Sequence, residues 1–309
     1  MNKSNKPLFN ASGKTLFDAI GNTPLVELNS LNPNPDVKIF GKLEGNNPGG
    51  SVKDRPAYYM IKKAEESGEL TKDKIIVEPT SGNTGIAIAM IGAVKGYKVK
   101  LYMPDSVSTE RQLILKAYGA EILLTPGKEG TDGAIRRAHQ LLDAEPDKYF
   151  MPNQFDNPNN PLAHYETTGP EIYRQTGGRL DVFIAAMGTS GTLLGTGKYL
   201  KEKIPGIQLI GIEPTIGNKL QGLKNMKESI VPKIYDEKKM DQKITIQDEE
   251  AFDMARRLVD KEGLFCGMSS GAAMAGALKV AATMKKGVIV TILADRGDRY
   301  LSTHLFRGC

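Results

Sequence analysis

The stretch 74-KIIVEPTSGNTGIAIAMIGAVKGYKVKLYMP-104 falls into four parts: an apolar β-branched run, a loop of small hydroxyl and amide residues, a helix-period segment and a second β-branched run. Working outward, the same alternation fills the chain. The runs 37-VKIFGKLE, 121-EILLTP, 181-DVFIAAM, 207-IQLIGIEP and 287-GVIVTILAD are further strand candidates, with helices such as 108-STERQLILKAYG and 133-GAIRRAHQLLD between them. This pattern predicts an α/β fold with mostly parallel sheets flanked by helices. The Asn- and Pro-rich 152-PNQFDNPNNP reads as a crossing between two lobes, and 213-EPTIGNKLQGLKNMKESIVPK, which has no sustained period, reads as a lid or active-site loop.

A chain of 309 residues can bury a substantial core. Its formal charge of +5 is mild, and Lys and Arg are interleaved with Asp and Glu, which leaves no nucleic-acid footprint and suits anionic small molecules. Residues 1–14 have no apolar stretch of the kind a signal sequence needs, and no later run has the length of a membrane span, so a cytoplasmic protein is expected. The two cysteines, Cys266 and Cys309, and the three histidines, His139, His164 and His304, form no metal-ligand pattern. Each histidine is read as a surface or packing residue.

Lys53 sits in 45-GNNPGGSVKDRPAYY-59, after paired glycines and before a helix. One reading makes it an exposed helix-start lysine paired with Asp54 or Glu44. Three loops elsewhere bear on the other. Thr80, Ser81, Gly82, Asn83 and Thr84 follow a strand and open a helix; they read either as a well-capped turn or as a cradle for a carboxylate or phosphate. Gly188, Thr189, Ser190, Gly191 and Thr192 occupy a similar junction without Walker A or GxGxxG spacing, which suggests a cofactor bearing one phosphate. The third loop, 266-CGMSSGAAMAGALKV, places hydroxyls at the start of an Ala-rich helix that by itself reads as close packing. Together the loops and the lysine offer an amine, an anion cradle, a single-phosphate cup and a further hydroxyl, which is what pyridoxal 5'-phosphate requires.

The segments 20-IGNTPLV, 43-LEGNNPGGSVKDR, 79-PTSGNTGIA, 154-QF, 164-HYETTGPEI, 187-MGTSGT, 266-CGMSSGAA and 295-DRGDRYLST span nearly the whole chain, and by them it resembles the cysteine synthase family, in particular the B type of O-acetylserine sulfhydrylase. The resemblance implies a two-lobed, tryptophan-synthase-β-like architecture (pyridoxal-phosphate fold type II), with residues 1–45 and 158–309 as the large cofactor-binding lobe and 46–157 as a smaller mobile lobe. It implies a transferase of cysteine biosynthesis that makes L-cysteine from O-acetylserine and a small sulfur donor through an aminoacrylate intermediate, and that works as a homodimer. Lys53 would form the Schiff base and then act as the base at the substrate Cα. Asn83 would bond the cofactor's phenolic oxygen, residues 80–84 with Gln154 would grip the substrate carboxylate, residues 188–192 would hold the phosphate, and Ser269 would meet the pyridine nitrogen. Cystathionine β-synthase or a serine/threonine dehydratase of the same fold is the alternative. The lid's 222-GLKNMKE departs from the arginine pair and aromatic residue common in the B type; Lys224 offers a cation for an anionic donor such as thiosulfate. The choice among sulfide, thiosulfate, O-acetylserine and O-phosphoserine stays open at this level.

Overall fold

In the computed structural model, which describes residues 15–80, 82–228 and 230–307, the β-branched runs pair into two separate sheets. In chain order the elements are β1 (Leu25–Glu27), β2 (Val37–Leu43), α1 (Asp54–Ser67), β3 (Ile75–Pro79), α2 (Asn83–Lys95), β4 (Val99–Pro104), α3 (Thr109–Ala117), β5 (Glu121–Thr125), α4 (Gly130–Ala144) and β6 (Tyr149–Phe150). They continue as α5 (Asn159–Ala163), α6 (Gly169–Thr176), β7 (Val182–Ala186), α7 (Gly191–Lys203), β8 (Gln208–Pro214), β9 (Gln242–Ile246), α8 (Asp248–Glu262), α9 (Met268–Thr283) and β10 (Gly287–Leu293). Ser81, Cys309 and the N-terminal stretch read above lie outside the described residues.

The smaller sheet has the order β5-β4-β3-β6 and is parallel throughout. The larger has the order β1-β2-β10-β7-β8-β9 and is parallel except for β1, which runs antiparallel to β2. Because β2 pairs with β10, the last strand, the smaller sheet is an excursion of the chain between two strands of the larger one. Each sheet has its own apolar core: Ile76, Leu101 and Met103 meet Ile86, Ile88 and Ile91 of α2 in one, and Ile39, Ile184, Ile210 and Ile289 gather in the other. Helix α2 is buried from Thr84 to Gly92, which is why its sequence is apolar on every face rather than on one stripe. The Ala-rich α9 is likewise buried along most of its length and packs against α8, as its small side chains lead one to expect. Strands β1, β6 and β9 do not stand out in the sequence; two are only two or three residues long, and β9 lies at a sheet edge with a single fully buried residue, Ile246.

A buried ionic group ties α1 to its surroundings. Arg55 donates to Glu44 at 2.8 Å and to Glu171 of α6 at 2.7 Å, and Lys42 of β2 donates to Glu171 at 2.7 Å. Two cations face two anions, and the Thr23 hydroxyl donates to Glu44 at 2.7 Å, so burial leaves no net charge uncompensated. The pairing of Lys53 with Glu44 is thereby excluded, since the Glu44 carboxylate is taken by Arg55.

Candidate active site

Parallel strands direct their carboxyl ends, and the loops that follow them, to one edge of a sheet, and ligands of open α/β folds gather there. Here those edges of both sheets open on a single cleft enclosing about 950 Å³ of empty space including its mouth. Lys53, Thr80, Gly82, Asn83, Thr84, Gln154, Gly188, Thr189, Thr192 and Ser269 all line it. Ser190 and Gly191 sit behind the wall in the same loop, and the wall also takes in Arg111, Phe155 and Lys224.

Lys53 caps the N-terminus of α1, where the positive end of the helix dipole disfavours an ammonium. Its side-chain amine has no hydrogen-bond or ion-pair partner among the described residues. Desolvation lowers its pKa, with the Asp295 carboxylate opposing in part. The glycine pair ahead of it is held on both sides. The Asp54 carboxylate accepts from the Gly49 N–H at 2.5 Å, and the Arg299 guanidinium donates to the Gly49 carbonyl. Gly50 has φ +80°, and a β-carbon there would strike that guanidinium, so glycine is required on two counts.

The loop after β3 and the loop after β7 are joined through Gln154. The Thr84 hydroxyl donates to Gln154 Oε1 at 2.7 Å, while Asn160 donates to the Gln154 carbonyl at 2.8 Å and to Thr189 Oγ1 at 3.1 Å. Buried Glu78 accepts the backbone N–H groups of Asn153 and Gln154. Burial nevertheless raises its pKa to about 7. Thr192 Oγ1 lies 3.2 Å from Nε2 of His164, whose Nδ1 meets Thr168 at 2.9 Å; burial pushes this imidazole down to about 3, so it is neutral. A β-carbon on Gly188 would come within 2.5 Å of the Gly222 carbonyl, so the lid closes directly onto the β7 loop.

Ser190 is the strained member of the set. Its φ of +69° lies in the left-handed region, and its buried hydroxyl has no hydrogen-bond partner among the described residues. Each feature costs about 1–3 kcal/mol and calls for a compensating role. An anion with several acceptor oxygens would supply one, and such a group, followed by a hydroxyl-bearing helix N-terminus, fits a phosphate. At the start of α9 the two serines part company. Ser270 is fully buried and accepts the Ala294 N–H at 2.9 Å, while Ser269 faces the cleft. In the lid, Lys224 lies 4.4 Å from the Phe155 ring centre and 3.8 Å from the Asp132 carboxylate. Cys266 is buried and its thiol is pushed up to about 12, which leaves it unreactive.

The sequence reading assigned no role to Asp295, Arg299 or Tyr300, although it picked out their motif. Asn83 Nδ2 donates to Asp295 at 2.6 Å, Arg299 donates to Asn83 Oδ1 at 2.6 Å, and the Tyr300 hydroxyl donates to Asp295 at 2.7 Å. The two contacts to Asn83 span more than 200 residues of chain, so no local pattern could have revealed them.

Comparison with known proteins agrees with this geometry. A family profile described as pyridoxal-phosphate dependent enzyme matches residues 16–295. The chain is 46% identical over 292 residues to cysteine synthase B of Escherichia coli (strain K12), covering 94% of this chain and 96% of that one. Among solved structures, a cysteine synthase from Entamoeba histolytica superposes with a TM-score of 0.90 at 40% identity, covering 99% of this chain and 93% of the other. An O-acetylserine dependent cystathionine β-synthase from Helicobacter pylori superposes with a TM-score of 0.88 at 41% identity, covering 94% and 98%. The chain therefore belongs to the pyridoxal-phosphate-dependent enzymes. Within that family it falls among the cysteine synthases, on the side of the B type. Its cofactor is pyridoxal 5'-phosphate, and the unpartnered Lys53 amine and the unsatisfied Ser190 hydroxyl fit that group's aldehyde and phosphate.

Proposed function

We propose that this enzyme replaces the acetoxy group of O-acetyl-L-serine with sulfur, yielding L-cysteine and acetate. The observation that carries the reading is one cleft in which a desolvated lysine, its amine without a partner among the described residues, faces a loop of hydroxyl-bearing residues from each sheet, in a chain similar over 94% of its length to cysteine synthase B. Bound pyridoxal phosphate supplies the electron sink for the substrate Cα. Lys53 Nζ would hold the cofactor through its aldehyde and, when free, would take the substrate's Cα proton as acetate leaves Cβ, then return a proton to Cα after the sulfur nucleophile has added at Cβ. Thr80 to Thr84, with Gln154, bind the substrate carboxylate and so aim the Cα–H bond at Lys53. Residues 188–192 would hold the phosphate, and Asn83 would bond the phenolic oxygen. Ser269, which lines the cleft, would meet the pyridine nitrogen with a hydroxyl, which does not enforce a protonated ring and would favour loss of the β-substituent.

The excursion that forms the smaller sheet supports a division into a large lobe, residues 1–45 and 158–309, and a smaller mobile lobe, residues 46–157, that closes on the substrate. Lys224, at the inner edge of the lid, would favour an anionic donor such as thiosulfate, giving S-sulfocysteine, beside sulfide. A cytoplasmic homodimer is the assembly this reading favours; among the described residues no helix is long and apolar enough to cross a membrane. The likeness to the Helicobacter pylori protein favours one second reading, with homocysteine as the nucleophile. Purified enzyme is to be assayed with O-acetylserine and, in turn, sulfide, thiosulfate and homocysteine, and with O-phosphoserine and sulfide. The proposal expects fastest turnover with O-acetylserine and an inorganic donor. Turnover confined to homocysteine would overturn it in favour of the second reading.

A further inference from the structure

The motif 295-DRGDRYLST leaves the end of β10 and crosses to the loops of the smaller sheet. The backbone of Asp295 pairs with Ser51, two residues before Lys53, and the Ser108 hydroxyl ahead of α3 donates to the Arg299 carbonyl at 3.1 Å. A neutral primary amide has one acceptor oxygen and two N–H donors, and its two ends can be exchanged by rotation. At Asn83 this choice is removed. A guanidinium can only donate and an ionised carboxylate can only accept, so Arg299 must face Oδ1 and Asp295 must face Nδ2. A rotated amide would set donor against donor and acceptor against acceptor. Both clamping groups are buried and braced: Asp295 by the Tyr300 hydroxyl, which itself accepts from Arg111 at 2.8 Å, and Arg299 by the Gly49 carbonyl.

We propose that Asp295 and Arg299 are positioning residues that clamp the Asn83 amide at both ends, presenting its second Nδ2 hydrogen to the phenolic oxygen of the cofactor. The inference rests on the reading, given above, that Asn83 meets that oxygen. Because the Arg299 guanidinium also grips Gly49, the clamp keeps the amide in register with the lysine loop. It thereby sets how strongly the phenolic oxygen is held in its ionised form, since a hydrogen bond to the charged form favours that form.

The test uses the cofactor-loaded enzyme and reads its absorption spectrum, in which ionised and protonated phenolic oxygens give separate bands. Asp295→Leu and Arg299→Met should each shift the band ratio toward the protonated form by about tenfold, the lower range for a hydrogen bond to a charged group. Asp295→Asn, which keeps an acceptor for Nδ2, should restore most of the ratio, a rescue that a merely structural role does not explain. An unmoved ratio in Asp295→Leu and Arg299→Met, with unfolding temperatures near wild type, overturns the clamp. Asn83→Ala separates this inference from the one beneath it. If Asn83→Ala leaves the ratio unmoved, Asn83 does not meet the oxygen and both fall; if it shifts the ratio and the other two do not, only the clamp falls. Should those variants not fold, a crystal structure of the loaded wild-type enzyme decides: Asn83 bonded at once to Asp295, Arg299 and the phenolic oxygen sustains the proposal, and loss of either protein contact overturns it.

Discussion

Ser190 and Asp54 show how single residues behind the lining of this cleft are held away from their own preferred states. The Ser190 hydroxyl is buried without a hydrogen-bond partner among the described residues, a cost that a phosphate bound there would remove. Ser190→Ala should therefore raise the unfolding free energy of the cofactor-free protein by about 1 kcal/mol while weakening its retention of cofactor. Denaturant titration with and without cofactor measures both, and a variant destabilised in the cofactor-free state would contradict this account. Asp54 has its pKa raised from 3.8 to about 7, chiefly by burial. Between those values the unfolded chain has lost the Asp54 proton and the folded protein keeps it, so stability falls as pH rises through the window and levels off above it. Glu78 titrates with the same sign between 4.5 and about 7. Asp54→Asn should thus reduce the decline in unfolding temperature from pH 4 to 7 without abolishing it, and a slope equal to that of the wild type would refute the assignment.

At the scale of elements, the question is what holds α1, and with it Lys53, against the larger sheet. The answer is the quartet of Lys42, Glu44, Arg55 and Glu171, which joins β2, α1 and α6. Removing one partner of a buried ion pair leaves an uncompensated charge, so Glu171→Gln should destabilise the protein by about 3–5 kcal/mol. Lys38→Ala, which breaks the exposed pair with Glu27, should change stability by less than about 1 kcal/mol. Urea unfolding of the two variants makes the comparison, and equal losses would remove the quartet from its role. Little of this was legible in the sequence. Within 37-VKIFGKLE, Lys42 looks like any solvent-facing lysine of an alternating strand, and Glu171 looks like a helix-surface carboxylate; their pairing with each other spans 129 residues, and that of Glu171 with Arg55 spans 116. The strands that form sheet centres were readable because their apolar residues run unbroken, as in 181-DVFIAAM, whereas β6 is too short to carry a period.

For the molecule as a whole, the decisive arrangement is that two parallel sheets present their carboxyl ends to one cleft. The loops that line it were not decisive one by one, since residues 80–84 read equally as a capped turn and the segment from Cys266 as close packing; only their combination with Lys53 pointed to a cofactor. Their convergence was readable only through the full-length resemblance, since no local pattern relates residue 53 to residue 189 or 269. The contacts of Asp295 and Arg299 with Asn83 were not readable at all, as each partner lies more than 200 residues further along the chain. Among the described residues two lysines line the finished cleft, Lys53 and Lys224, and burial lowers the pKa of both. The central claim is that Lys53 alone holds the cofactor. Reduction of the loaded enzyme with sodium borohydride, followed by proteolysis and mass spectrometry, tests it most directly. The account predicts a pyridoxyl group on the peptide carrying Lys53 and loss of the visible band; a pyridoxyl group on Lys224, or on no lysine, would contradict it.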